Sequence, residues 1–199
     1  MQSSELHHRT ECLKGNKNMK LAIFIDCQND FLKEGKLAFG YPKKDNFDKV
    51  VNLAKKCVEE GYKCYATRDT HNSKYLSTLE GKNLPVKHCI ELSKGWMIND
   101  KLMEVLEGEC TIVNKPTFGS YDLVDIISED FKEKDIEEIV LCGYCSSICV
   151  LANSVLLRAK FPNAKIKVVE SCCGDVNRES HKAAMVVLKM QQIEVIKAL

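Results

Sequence analysis

The chain has 199 residues, 45% of them hydrophobic, enough for one domain with a substantial buried core. Its 29 Lys and Arg against 28 Asp and Glu leave a net charge of +1. That balance removes the electrostatic case for a nucleic acid or an anionic membrane as partner and points to a small molecule. Eleven cysteines, odd in number and scattered through apolar runs, suit a reducing compartment, here expected to be the cytoplasm, better than a disulfide framework.

No apolar run reaches the roughly 20 residues of a membrane-spanning helix. The polar stretch MQSSELHHRTECLKGNKN (1–18) is expected to be a disordered extension or expression remnant, its His7-His8 pair included, and the domain to run over residues 19–199. KLAIFID (20–26) is a continuous apolar run that reads as a strand buried on both faces, and NFDKVVNLAKKCVEEG (46–61) has helical spacing closed by Gly61. KCYATRD (63–69) gives the second strand. A long, weakly periodic stretch follows to about residue 98 and holds His71, Pro85, His88 and the only tryptophan, Trp96. Such a length without regular structure is characteristic of a functional loop. CTIVNK (110–115), EEIVLCG (137–143), AKIKVVES (164–171) and IEVIKA (193–198) read as further strands. YDLVDIISEDF (121–131), SICVLANSVLLRAKF (147–161) and RESHKAAMVVLKM (178–190) read as helices. Apolar strands alternating with helices predict an α/β fold, a doubly wound and mostly parallel sheet of about six strands with helices on both faces.

Sheets of this kind bind ligands beyond the carboxyl ends of their strands. That rule gathers Asp26, Asp69, His71, Lys115 and the stretch Cys142 to Cys149 on one edge. Within LCGYCSSICVLANSVLLRA (141–159), the C-x2-C-x3-C pattern fits half a metal site, a redox pair, or one nucleophile with two bystanders. A closed metal site needs a second ligand pair, and the adjacent Cys172 and Cys173 are poorly spaced for one. Redox pairs stand at helix starts, whereas Cys142 and Cys145 precede the helix and read as small apolar residues. Cys149 alone falls in the first helical turn, where free N–H groups and the helix dipole favour a thiolate, the more so beside a lysine. Taken singly, Asp26 reads equally well as a turn cap and Lys115 as a surface lysine. Together with Cys149 they make a nucleophile, a carboxylate to move its proton and a cation to balance the charge, with no histidine required.

IDCQNDF (25–31), VNKPTFGSYD (113–122) and GYCSSICV (143–150) resemble, in order and separation, the motifs of the isochorismatase-like cysteine hydrolases, and within that superfamily the nicotinamidases. The resemblance extends over residues 19–199. It implies Asp26 as general base, Lys115 as the active-site lysine and Cys149 as nucleophile. It also implies a cis peptide between Tyr144 and Cys145, and an oxyanion hole from the backbone N–H groups of Cys145 and Cys149. RDTHNSKYLSTLEGKNLPVKHC (68–89) is similar to the stretch in which nicotinamidases hold a metal with an Asp-x-His and a later His before Cys. Asp69, His71 and His88 are thereby implied as ligands of one divalent ion, zinc ahead of iron or manganese, with positions left open for water and a pyridine nitrogen.

The nicotinamidase pattern carries a Trp three residues before the last metal histidine, and Pro85 stands there, beside Leu84. Phe31, Tyr75, Phe118 and Tyr121 are the candidate substrate-binding aromatics in its stead. Trp96 is expected to pack the loop against the domain, and His181 to be structural. The expected activity is hydrolysis of nicotinamide to nicotinate and ammonia through a thioester, a step of NAD metabolism, by a homo-oligomer. The alternative enzyme is a superfamily hydrolase acting on a carbamoyl, ureido or other small amide. The alternative without catalysis is a ligand-binding or redox-sensing protein on the same fold. Isochorismatase activity proper fits less well, because vinyl-ether hydrolysis needs no cysteine thioester and leaves the metal ligands unexplained.

Overall fold

The computed structural model describes residues 18–42, 46–108 and 110–199; the expectation for the N-terminal extension lies outside them, Asn18 apart. Six strands, β1 (Met19–Ile25), β2 (Lys63–Asp69), β3 (Cys110–Lys115), β4 (Ile136–Tyr144), β5 (Lys165–Gly174) and β6 (Glu194–Ile196), form one sheet in the order β3-β2-β1-β4-β5-β6. Every neighbouring pair is parallel. The helices are α1 (Phe47–Glu59), α2 (Leu79–Asn83), α3 (Asp100–Leu106), α4 (Tyr121–Asp130), α5 (Leu151–Lys160) and α6 (Arg178–Met190). None of them is long and apolar enough to cross a membrane.

Chain direction decides which face each helix covers. From β1 the sheet grows to β2 and β3 on one side, then restarts beside β1 and grows to β5 and β6 on the other. Right-handed crossovers therefore put α1 and α3 on one face and α4, α5 and α6 on the opposite one, and α1 does pack on α3 while α4 meets α5 and α5 meets α6. With both faces covered, β1 is apolar from Leu21 to Ile25, and these residues are at most 1% exposed. The core faces of the helices carry the 3.6-residue period: α6 buries His181, Ala184, Met185 and Leu188.

The reversal between β1 and β4 opens the crevice that such sheets use for ligands. Register brings the relevant strand ends level, since Ile25 pairs with Gly143 across β1 and β4, and Asp69 pairs with Lys115 across β2 and β3. Gly143 has φ of +129°, and a Cβ there would strike the Ile25 carbonyl oxygen. The two strands close to this spacing only because the residue is glycine.

Four elements differ from the sequence expectation. The segment after β2 contains a 3-10 turn (Tyr75–Ser77) and the short helix α2, and α3 begins directly beyond it, capped by the Asn99 side chain. Five and seven residues are too few to display a helical period. The turn before α5, Ser146–Val150, is wound as a π-helix, and α5 starts at Leu151.

The segment between β2 and α3 is held firmly. The Gln28 amide donates to the carbonyls of Asp69 (2.9 Å) and Trp96 (2.8 Å) and accepts from the Asp69 N–H (2.7 Å). Asp30 accepts from the Cys89 N–H at 2.8 Å. Trp96, only 6% exposed, donates to Thr70 Oγ1 at 2.8 Å and so closes the segment onto the domain.

Candidate active site

β1 delivers Asp26 to the sheet edge in a left-handed conformation, φ +48°, unusual for a residue with a Cβ. Its carboxylate is fully buried, with Oδ1 accepting from Thr67 Oγ1 at 2.6 Å. Lys115, the last residue of β3, is 0% exposed, which removes the surface-lysine reading. Its Nζ lies 2.7 Å from Asp26 Oδ2, 3.4 Å from Cys149 Sγ and 3.1 Å from the Thr117 carbonyl. Cys149 comes from the π-turn and is 6% exposed. Three groups from three distant parts of the chain thus meet in a nearly fully buried space.

Their ionisation follows from that closure. Burial pushes the Asp26 carboxyl up, and the Lys115 charge opposes the shift. Burial by itself would lower the lysine, but the negative charge of Asp26, Cys149 and Asp69 outweighs it and raises Lys115 above its usual value. Burial likewise pushes the Cys149 thiol well above the ordinary range; Lys115 opposes this, while the negative charge of Asp26 adds to it. Lys115 therefore stays a cation, and one negative charge with one proton is shared between Asp26 and Cys149. The helix terminus and the lysine favour the thiolate expected from the sequence, whereas burial and the neighbouring carboxylate oppose it.

The two other motif cysteines are different in kind. Cys142 is 1% exposed inside β4, and burial raises its thiol well above the ordinary range. Burial pushes the Cys145 thiol up to about 12. Cys145 contributes through its backbone: the peptide Tyr144–Cys145 is cis, and the Cys145 carbonyl accepts from the N–H groups of Ile148 (3.2 Å) and Val150 (3.0 Å).

A second cluster adjoins the first. Asp69 Oδ2 lies 3.0 Å from His71 Nε2 and 3.3 Å from His88 Nε2, and one ligand atom from each of the three residues falls within 4.8 Å of the others. His88 Nδ1–H donates to the Val86 carbonyl at 2.8 Å, which orients the ring and leaves Nε2 to face the cluster. Burial opposes ionisation of Asp69, but hydrogen bonds from His71 and His88 and the Lys115 charge hold it well below the usual carboxylate range. Burial by itself would lower His88, yet its bonds to Asp69 and to Val86 raise it. Convergent nitrogen and carboxylate atoms in a buried pocket fit a divalent transition metal such as zinc.

Sequence reasoning passed over Glu80, whose Oε1 lies 3.6 Å from His71 Nε2 and 3.9 Å from His88 Nε2. It stands in the first turn of α2, capped by Thr78. The available signal was that it is the only acidic residue between Asp69 and Glu91. Asn153 and Asp175 were passed over too. The Asn153 amide bonds the carbonyls of Cys149 (2.8 Å) and Phe118 (3.0 Å), and Asp175 accepts from the Ser147 N–H at 2.8 Å. Both fix the turn that carries Cys149.

The four candidate aromatics separate into two pairs. Tyr75, 1% exposed, packs its ring 4.5 Å from that of His71 and 5.0 Å from that of His88, and Phe31 lies 5.9 Å from His88. Phe118 and Tyr121 are 48% and 75% exposed. Thus the first pair braces the histidines, whereas the second lies open to solvent.

Relatives share this arrangement of strands. An isochorismatase family protein of Bacillus subtilis, PncA, is 27% identical over 172 residues, which is 83% of this chain and 92% of its own. The crystal structure of the nicotinamidase/pyrazinamidase PncA from Bacillus subtilis matches with a TM-score of 0.76 at 24% identity, covering 89% of this chain and 99% of that one. The pyrazinamidase of Pyrococcus horikoshii, in complex with zinc, matches with a TM-score of 0.75 at 21% identity over 89% and 98% of the two chains. The isochorismatase domain model covers residues 20–198. A family model that runs from the first strand through the last shows that the chain belongs to the isochorismatase domain family.

Proposed function

We propose that the protein is a cysteine-dependent amide hydrolase that converts nicotinamide to nicotinate and ammonia through a thioester on Cys149. The observation that carries this reading is the fully buried Lys115, 2.7 Å from Asp26 and 3.4 Å from Cys149. A buried cation persists only beside a counter-charge, and here that charge is shared by a carboxylate and a thiol. This is the resting state of a nucleophile whose proton already has somewhere to go.

The reaction follows from the geometry. Cys149 Sγ attacks the amide carbon as its proton passes to Asp26, whose burial makes it a stronger base than an exposed carboxylate. The carbonyl oxygen takes up the negative charge and is met by the N–H groups of Cys145 and Cys149 as oxyanion hole. Collapse breaks the C–N bond, and Asp26 returns the proton to the leaving nitrogen, which departs as ammonia. Water then gives a proton to Asp26 and attacks the thioester, and the carboxylic acid leaves as Sγ recovers its proton. Lys115 balances the single negative charge throughout.

Asp69, His71 and His88, with Glu80 close by, are the residues that would hold a divalent metal. When bound, the ion supplies an open coordination position for a ring nitrogen or a water molecule and so orients the amide. The zinc in the Pyrococcus horikoshii pyrazinamidase and the nicotinate in PnC1 of L. infantum, matched at a TM-score of 0.71 and 18% identity, support this use of the site. The ten cysteines among the described residues are all free thiols, in keeping with a cytoplasmic protein, and self-association belongs to the same proposal.

Pro85, where the nicotinamidase pattern places its Trp, favours a second reading: another small amide, carbamoyl or ureido compound on the same machinery. Ammonia release from nicotinamide beside benzamide, which lacks the ring nitrogen, separates the two. A preference for nicotinamide that vanishes with the metal supports the first reading. Equal rates support the second. No ammonia from any small amide overturns the hydrolase.

A further inference from the structure

α6 carries a histidine on its apolar stripe. His181 is 2% exposed and shares that stripe with Ala184, Met185 and Leu188. A buried imidazole needs hydrogen-bond partners. Its Nδ1 lies 2.8 Å from Ser146 Oγ, which is itself fully buried.

Ser146 Oγ is also 3.1 Å from the Gly174 carbonyl oxygen, to which it donates. A hydroxyl has one proton, and a carbonyl has none to give. With the Ser146 proton committed to Gly174, the 2.8 Å contact needs His181 Nδ1–H as donor. On its other side the ring has Glu170 Oε1 at 3.6 Å from Nε2 and the Tyr41 ring at 4.9 Å. His181 and Glu170 also line a cavity of about 430 Å³. The mixed wall of Lys49, Lys197 and Glu170 selects no class of ligand for that cavity.

Ser146 opens the π-turn that carries Cys149 and follows Cys145 directly. No side chain caps this turn at its N-terminal residue, Cys145. Two anchors from the end of β5 and beyond hold it instead. Asp175 takes the Ser147 N–H and its hydroxyl, at 2.8 and 2.9 Å, and the Gly174–Ser146–His181 chain takes residue 146. We propose that His181 is a positioning residue for the reaction: through Ser146 it fixes the turn whose backbone N–H groups meet the oxyanion. The inference rests on the functional reading above, in which Cys149 attacks and this turn supplies the hole.

Its test uses the difference between hydrolysis, which builds an oxyanion, and alkylation by iodoacetamide, which does not. His181→Leu fills a similar volume without a donor, whereas His181→Asn can place its amide nitrogen near the position of Nδ1. For the amide that the wild type hydrolyses best, His181→Leu is expected to lower kcat by about 10- to 100-fold with KM little changed, since a displaced oxyanion donor acts on the transition state. Alkylation of Cys149 and metal content are expected to stay at the wild-type level, and His181→Asn to recover most of kcat. If the leucine variant does not fold, Ser146→Ala, which removes the acceptor and leaves His181 in place, is expected to show the same separation. Nitrogen-resolved NMR of the wild-type imidazole is expected to find the proton on Nδ1. A proton on Nε2 alone overturns the proposal, as does full activity in His181→Leu, or a loss of turnover matched by an equal loss of alkylation. A wild type that hydrolyses no amide overturns the functional reading instead.

Discussion

The two halves of the candidate site are built differently, although they meet at one residue. Asp26, Lys115 and Cys149 stand on the ends of β1 and β3 and on the turn leaving β4, each at most 6% exposed. In the metal cluster only Asp69 belongs to a strand; His71, His88 and Glu80 come from the segment that follows it. The proposed reacting groups thus ride on the sheet, where β1 and β4 each have a neighbour on both sides and β3 is paired along its length to β2, and the proposed orienting groups ride largely on a loop. Asp69 joins the halves, with Oδ1 3.8 Å from Lys115 Nζ and Oδ2 on both histidines. Such a division implies that orientation can be removed while the chemistry of the thiol survives.

The sharpest break comes from the sheet side. Cys149→Ala is expected to lower kcat by at least about 10⁴-fold, with metal content per chain unchanged. Cys142→Ala and Cys145→Ala are expected to stay within about tenfold of the wild type, because only small apolar atoms are lost. Steady-state kinetics beside metal analysis checks this, and equal losses in all three variants would sink the single-nucleophile reading.

The loop side should break alone. His71→Ala or His88→Ala is expected to release the metal and to lower kcat/KM for nicotinamide by about 10²-fold, the usual cost of misplacing a substrate. Iodoacetamide should still modify Cys149 at close to the wild-type rate. Alkylation that falls in step with turnover would mean that the two clusters are one cooperative unit.

Ionisation sharpens the comparison. Since burial raises the Cys149 thiol, the thiolate fraction is small at neutral pH and grows as pH rises. The alkylation rate should therefore keep climbing past the ordinary thiol value of about 8.5. Lys115→Met removes the group that opposes the shift, so alkylation at pH 8 should slow by about tenfold. A plateau below pH 8 would restore the resting thiolate expected from the motif.

The smallest effect belongs to Glu80. Its carboxylate stands beside the two histidines at 3.6 and 3.9 Å, so Glu80→Gln is expected to weaken metal binding by about tenfold and to leave kcat/KM at saturating metal nearly intact. Titration of the stripped protein with zinc measures it, and unchanged affinity would confine the metal to Asp69, His71 and His88.

Period and punctuation in the sequence determined the sheet, because a strand covered on both faces must be apolar throughout, as Leu21 to Ile25 are. The same logic gathered the candidate site: a charged residue ending such a run, as Asp26 and Lys115 do, has only the sheet edge to occupy. Only the tertiary structure decided what those residues are. The exposure of Lys115 depends on what covers it, and the state of the Cys149 thiol depends on a burial penalty that no local pattern records. Glu80 reaches the histidines from a helix too short to show a period. His181 meets Ser146 across 35 positions of chain, and its role depends on which of two atoms holds a proton. Helices and strands are legible because their side-chain periods repeat within a few positions of the chain. Active-site chemistry is set by distances between residues that become neighbours only when the sheet has formed.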